Sequence, residues 1–164
     1  PSSTGSREQL IMKIINYINP RLMMKMLSFW PPYFFSGIKI VNVNDDFTKI
    51  DVCMKQRFWN TNYVGTHFGG SLYSMCDPFY MFILLFHLKG HIVWDKGAKF
   101  YFKKPGKGVM YACFKISKRN IEQLKIEAAK NYSISPVFKT VVHDSEKNVI
   151  LNLEKFLYIK KKDK

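Results

Sequence analysis

Acidic residues are scarce in this 164-residue chain: 12 Asp and Glu stand against 26 Lys and Arg, for a formal net charge of +14. Arginine is scarce as well. Only Arg7, Arg21, Arg57 and Arg119 are present, so 22 of the 26 basic residues are lysine. Guanidinium forks are the usual means of reading bases and gripping phosphates. The lysine bias, with no helix-turn-helix, RRM signature or basic repeat behind it, therefore argues against a nucleic-acid partner. Read simply, the charge is a lysine-rich solvated surface. Cysteine is limited to Cys53, Cys76 and Cys113, an odd number and widely spaced. That excludes a disulfide framework or a C-x-x-C metal pair within one chain and suits a reducing, cytoplasmic compartment. Long apolar runs are missing too. The longest, Phe79 to Leu88, contains His87 and is about half of the ~20 residues a membrane span needs. His87, His91 and His143 show no ligand-like spacing and there is no H-E-x-x-H, so no metal or other cofactor is expected.

What is present is abundant apolar material, 47% of residues, of which aromatics make up 16% of the chain. This suffices for one folded domain. Pro1–Ser6, polar and without an initiator Met, is set apart as a flexible lead or processing remnant. Residues 7–36 read as an N-terminal helical extension. Ile11, Ile14, Ile15 and Ile18 have amphipathic-helix spacing. Asn19-Pro20 restarts a helix through Leu22, Met23, Met26 and Leu27, which Trp30-Pro31-Pro32-Tyr33 stops. This Met-rich pair is expected to pack on the main domain, with a membrane surface or a pocket cover as alternatives.

Residues 37–160 carry the main domain, and 161–164 a basic tail. Ile38–Val43 and Lys49–Met54 alternate as two half-buried strands around an Asn44-Asp45-Asp46 turn. Leu72, Met75, Cys76, Phe79, Ile83 and Phe86 predict one long buried helix from Gly69 to Leu88. Strand material follows at Ile92–Trp94, Ala98–Lys103 and Val109–Ile116. Ser117 caps a helix from Lys118 to about Lys130, and Tyr132–His143 with Asn148–Ile159 closes as a hairpin. The order predicts an α+β fold, an antiparallel sheet with one dominant helix against a face.

Chemistry concentrates between Asn60 and Pro78. A polar loop feeds Gly69-Gly70 at the start of the buried helix, where glycine permits close approach and the first amides lack internal partners. Such a terminus suits an anion or a developing oxyanion. Asp77 is either a buried, catalytic carboxylate or an N-cap for a helix beginning at Pro78. His67 is a candidate general base, against the reading of a structural loop histidine. Cys76, in an apolar helix, is expected to be inert. A second stretch, Phe100-Tyr101-Phe102-Lys103-Lys104-Pro105-Gly106-Lys107-Gly108, ends an aromatic strand in lysines that could hold phosphates or back a single-strand platform. It can equally be a solvated basic turn.

Asn62-x-x-Gly65-Thr66-x-x-Gly69-Gly70, with Asp77 eight residues after Gly69, resembles the signature of hotdog-fold acyl-CoA thioesterases of the phenylacetate-pathway type. Phe102 to Gly108 is similar to their Phe-x-x-Pro-x-x-Gly segment. With Trp59-Asn60 and Ile92-Val93-Trp94-Asp95-Lys96, the pattern is closer still to a little-characterised bacterial subgroup. The resemblance runs over roughly Gly37 to Ile159, and Phe68 stands where the signature has His. It implies a hotdog fold: a curved antiparallel sheet wrapped around one long buried helix, in a homodimer or tetramer with sites at the subunit interface. It implies hydrolysis of acyl-CoA or a related carrier thioester, or a non-catalytic acyl-thioester or lipid binder. Asp77 would be base or nucleophile, Gly70 the amide that polarises the carbonyl, and Asn62 the group that orients water or substrate. Gly69, Lys103, Lys104 and Lys107 would meet CoA, and His67 with Asp77 would serve the rival dehydratase reading.

Overall fold

The computed structural model describes residues 20–162; the readings for Pro1–Ser6, the first helix to Ile18 and the last two tail residues lie outside the described residues. The chain begins with α1 (Pro20–Met26), a 3-10 turn (Leu27–Phe29) and α2 (Pro31–Ser36). Pro31 and Pro32 end the first helix as expected, and they also start the second. Proline is at home in a first helical turn, where its missing N–H would be unpaired anyway. Gly37 closes α2 in the left-handed region, φ +75°, and a Cβ there would lie 2.7 Å from the Lys55 carbonyl oxygen. Glycine is required on both counts.

The strands are β1 (Ile38–Val43), β2 (Lys49–Lys55), β3 (His91–Phe102), β4 (Val109–Lys115), β5 (Ser133–Ile134), β6 (Val137–His143) and β7 (Val149–Lys161). They form one antiparallel sheet in the order β1-β2-β4-β6-β7-β3, with β5 also paired to β7. The edge strands are thus β1 and β3. In β3 the register shifts between Asp95 and Gly97. The bulge reverses the inward phase from Val93 and Asp95 to Ala98 and Phe100, so a single strand reads in sequence as two.

The expected long helix is present in two pieces, α3 (Gly69–Met75) and α4 (Phe79–His87). The interruption falls at Asp77-Pro78, because proline lacks the amide donor and crowds the preceding residue out of the helical region. Leu72, Met75, Phe79 and Ile83 are buried with Val52, Met54, Met110, Phe114 and Leu153 of the sheet in one core. Each such side chain contributes about 1.5–3 kcal/mol on burial. Ser117 caps α5 (Lys118–Lys130) by accepting from the Asn120 amide at 3.1 Å. The result is the α+β hotdog fold: a curved antiparallel sheet around a long, broken helix, with a helical extension ahead of it.

Candidate active site

The loop before α3 is organised by its own polar side chains. Asn62 Oδ1 accepts from the amides of Val64 and Thr66, at 3.1 and 3.0 Å, and its Nδ2 donates to Thr66 Oγ1 at 2.8 Å. This carboxamide is engaged in loop closure, so its local work is to shape the turn around Gly65. His67 is buried. Its Nε2–H donates to the Gly108 carbonyl at 2.9 Å, while its amide donates to the Gly106 carbonyl. Burial lowers its pKa, against a smaller opposing effect of the Gly108 carbonyl, and Nδ1 has no hydrogen-bond partner among the described residues. Gln56 completes the stitch by accepting from the Gly108 amide at 2.8 Å.

The two stretches that stand out in the sequence therefore meet. Gly69 lies against Phe102, and Tyr73 of α3 packs beside Phe100 with ring centres 4.2 Å apart. Lys103, Lys104 and Lys107 are exposed around this turn, and Lys104 Nζ also donates to Asn148 at 3.2 Å. At the start of α3 the Ser71 and Leu72 amides bond the Phe68 carbonyl. Those of Gly69 and Gly70 have no hydrogen-bond partner among the described residues. The Phe68 ring lies over Gly70, where an added Cβ would come within 2.4 Å of it.

Asp77 occupies the far end of α3. The N-cap of α4 is Pro78, with no side-chain capping bond, so Asp77 is not a cap. Its Oδ1 accepts from Lys155 Nζ at 2.6 Å, and the same ammonium is 3.1 Å from Asp95 Oδ2. Lys155 sits mid-strand in β7, opposite Ala98 of β3 and Phe138 of β6, on the inward stripe with Leu151, Leu153, Leu157 and Ile159. Its side chain is 7% exposed, whereas that of Asp77 is 54% exposed. Burial works to raise Asp77, but its hydrogen bond with Asp95 and the Lys155 ammonium prevail and hold it below the usual carboxylate range. Asp95 moves the other way. Burial and the bond to Asp77 push it up to about 6 despite Lys155. The backbone carbonyl of Asp77 accepts from the buried Tyr33 hydroxyl of α2, tying the N-terminal extension to the helix break. Beside it, Cys76 is driven up to about 12 by burial, as its inert reading requires.

Lys155 and Asp95 escaped the sequence reading. The available signal was a lysine in phase with four apolar residues of a strand, whose inward face only the pairing with β3 and β6 reveals. In one chain His67 and Asp77 lie at opposite ends of α3, which separates the pair the dehydratase reading needs. Among the described residues no group of His, Cys, Asp and Glu is arranged to hold a metal, and no helix is long and apolar enough to cross a membrane. A cavity of about 370 Å³, lined by Asp51, Tyr111, Cys113 and His143, lies on the outer face of the sheet, away from Asp77.

A family profile matches residues 19–159, nearly the whole described chain. The chain belongs to the family called Domain of unknown function (DUF4442). No curated protein matches it. Among solved structures, this family member is similar to a Pseudomonas aeruginosa protein of unknown function, called a probable thioesterase. That match has TM-score 0.76 and 15% identity over 86% of this chain and 95% of that one. A Haemophilus influenzae thioesterase matches with TM-score 0.62 and 13% identity, over 84% and 87% of the two chains. A Streptococcus pneumoniae hypothetical thioesterase with coenzyme A matches with TM-score 0.58 and 16% identity, over 85% and 99%. At these identities the likeness is one of fold, and the DUF4442 chain shares it along most of its length.

Proposed function

We propose that this protein hydrolyses acyl-CoA or a related carrier thioester, with Asp77 as general base. The observation that carries this reading is the Asp77 carboxylate itself: ionised, half exposed at the break of the central helix, and fixed from below by a buried lysine. A carboxyl group acting as general base must be ionised, reachable by water and held in place. Asp77 takes a proton from water as the water oxygen bonds to the thioester carbonyl carbon. The carbonyl electrons move onto oxygen, which the Gly70 amide stabilises. Collapse re-forms the carbonyl and breaks the C–S bond, and the departing thiolate takes back the proton from Asp77. Lys155 positions the base, and Asp95 holds the same ammonium from the side of β3.

Asp77 is eight residues beyond Gly69, about 12 Å along a helix axis at ~1.5 Å per residue. One chain therefore does not bring Asp77 to a carbonyl held at its own Gly70. The reading accordingly requires a second copy, the Asp77 of one protomer serving the glycine pair of the other. The Lys103, Lys104 and Lys107 turn, beside that glycine pair, suits the phosphates of CoA as point charges. The similarity in fold to the Streptococcus pneumoniae protein solved with coenzyme A agrees with this choice of carrier.

A second reading, a non-catalytic acyl-thioester binder, draws on Phe68 lying over Gly70 and on the lysine already bound to Asp77. One experiment separates the two. Free-thiol release is followed over a panel of acyl-CoA thioesters, for wild type and Asp77→Asn. The hydrolase reading expects turnover that falls at least ~100-fold in the variant with its circular dichroism unchanged. Undiminished turnover would remove Asp77 from the mechanism, and saturable binding without turnover would favour the binder.

A further inference from the structure

The N-terminal extension leaves a face that the proposed chemistry does not use. Phe29, Trp30, Phe34 and Phe35 of the α1–α2 hairpin are exposed, as are Phe58 and Trp59 of the 3-10 turn (Phe58–Asn60) beside it. Phe58 is 87% and Phe29 75% exposed, far beyond what a folded domain ordinarily leaves to water in one place. Asn60, at the end of that turn, donates through Nδ2 to the Ser36 carbonyl of α2 at 2.8 Å, so the two segments are joined. Phe29, Phe34 and Trp59 then line a cavity of about 230 Å³ together with Lys39, Lys55 and Arg57. Lys25 adds a further cation at the end of α1. No Asp or Glu occurs from Leu22 to Val43, or from Lys55 to Cys76.

A second copy of the chain is one conceivable cover, but the extension works against strand pairing here. It packs along β1, where the Ile40 amide donates to Ser28 Oγ at 3.0 Å. The opposite edge, the twelve-residue β3, stays open for another copy. The face instead combines two features of interfacial membrane binding: aromatic rings, including two tryptophans, and a rim of uniform positive charge. We propose that this face docks on an anionic phospholipid bilayer. The rings of the hairpin and 3-10 turn enter the headgroup boundary, and Lys25, Lys39, Lys55 and Arg57 meet lipid phosphates. The inference stands whether or not the chain hydrolyses thioesters.

Vesicle sedimentation of the full-length protein tests it. Mixed phosphatidylglycerol–phosphatidylcholine vesicles are expected to bind the wild type, and pure phosphatidylcholine vesicles far more weakly. Lys39→Gln/Lys55→Gln is expected to lower partitioning roughly 30-fold. Lys115→Gln/Lys130→Gln, which removes equal charge elsewhere, should change it little. In a Trp94→Phe background, Trp30 and Trp59 emission is expected to shift to the blue on binding, and Phe29→Ser/Phe58→Ser to abolish the shift. Equal losses from the two lysine pairs, or equal binding to both vesicle types, would overturn the proposal. So would a fall in solution mass caused by Phe29→Ser/Phe58→Ser, which would make the face a contact between copies.

Discussion

Lys155, buried in the middle of β7, holds Asp77 at the break of the central helix, with Nζ 2.6 Å from Oδ1. The same nitrogen reaches Asp95 on β3. Strand, helix and edge are thereby joined through one ammonium group, which balances two carboxylates at the margin of an apolar core.

Removing that ammonium should destabilise the protein. Lys155→Met leaves two acids facing each other with neither neutralised, an expected loss of about 1–3 kcal/mol. Chemical denaturation at neutral pH reads it. Lys155→Met/Asp95→Asn should recover part of the loss, since one of the facing charges is gone. Equal stability of wild type and Lys155→Met would mean that the ion pair contributes nothing.

The pH dependence of stability follows from the opposed shifts of the two acids. Asp95 rises from 3.8 to about 6 on folding, so between these values the folded chain holds the extra proton. Its contribution is present below pH 4 and is lost as pH rises through 6. Asp77, lowered on folding, contributes above pH 4 and loses that contribution as pH falls. Asp95→Asn removes the first slope; the change it makes to Asp77, which Asp95 helps to hold down, falls below pH 4 and outside this window. The stability advantage of wild type over this variant should shrink from pH 4 to pH 7, and a constant difference would contradict the assignment.

Gly70→Ala separates stability from activity. The new methyl meets the Phe68 ring, an exposed side chain with room to turn away, and alanine favours the helix by up to ~1 kcal/mol. Stability should therefore stay within about 1 kcal/mol of wild type. Turnover should fall at least ~10-fold, because methyl and displaced ring crowd the amide proposed to polarise the carbonyl. Full activity in this variant would remove Gly70 from the mechanism.

Lys103→Gln/Lys107→Gln tests where the carrier binds. KM for acyl-CoA should rise by about tenfold, while turnover of a short thioester lacking the nucleotide phosphates stays unchanged. A similar change for both substrates would place the CoA phosphates elsewhere.

Much of the architecture could be read from local pattern. Strand β4 alternates cleanly, β1 and β2 do so over part of their length, and Ser117 announces its helix, because these elements answer to short-range periodicity and capping. The signature loop and lysine turn were also visible, although not the His67–Gly108 bond that joins them. Two features needed the assembled sheet. The bulge at Lys96 breaks the alternation of β3, and with it the clue that Asp95 faces inward. Lys155 is 78 residues from Asp77, so nothing within reach of a local pattern marks it as a partner. In isolation it is one more lysine in a chain full of them.

That abundance makes Lys155 a natural clock. Among the described lysines it alone is buried, so an amine-specific reagent should modify its neighbours on the surface quickly and spare it while the chain stays folded. The slow appearance of label at this position, followed by peptide mass spectrometry, would time the opening of the sheet-and-helix core. A trait that first looked like mere surface charge would then report on the interior.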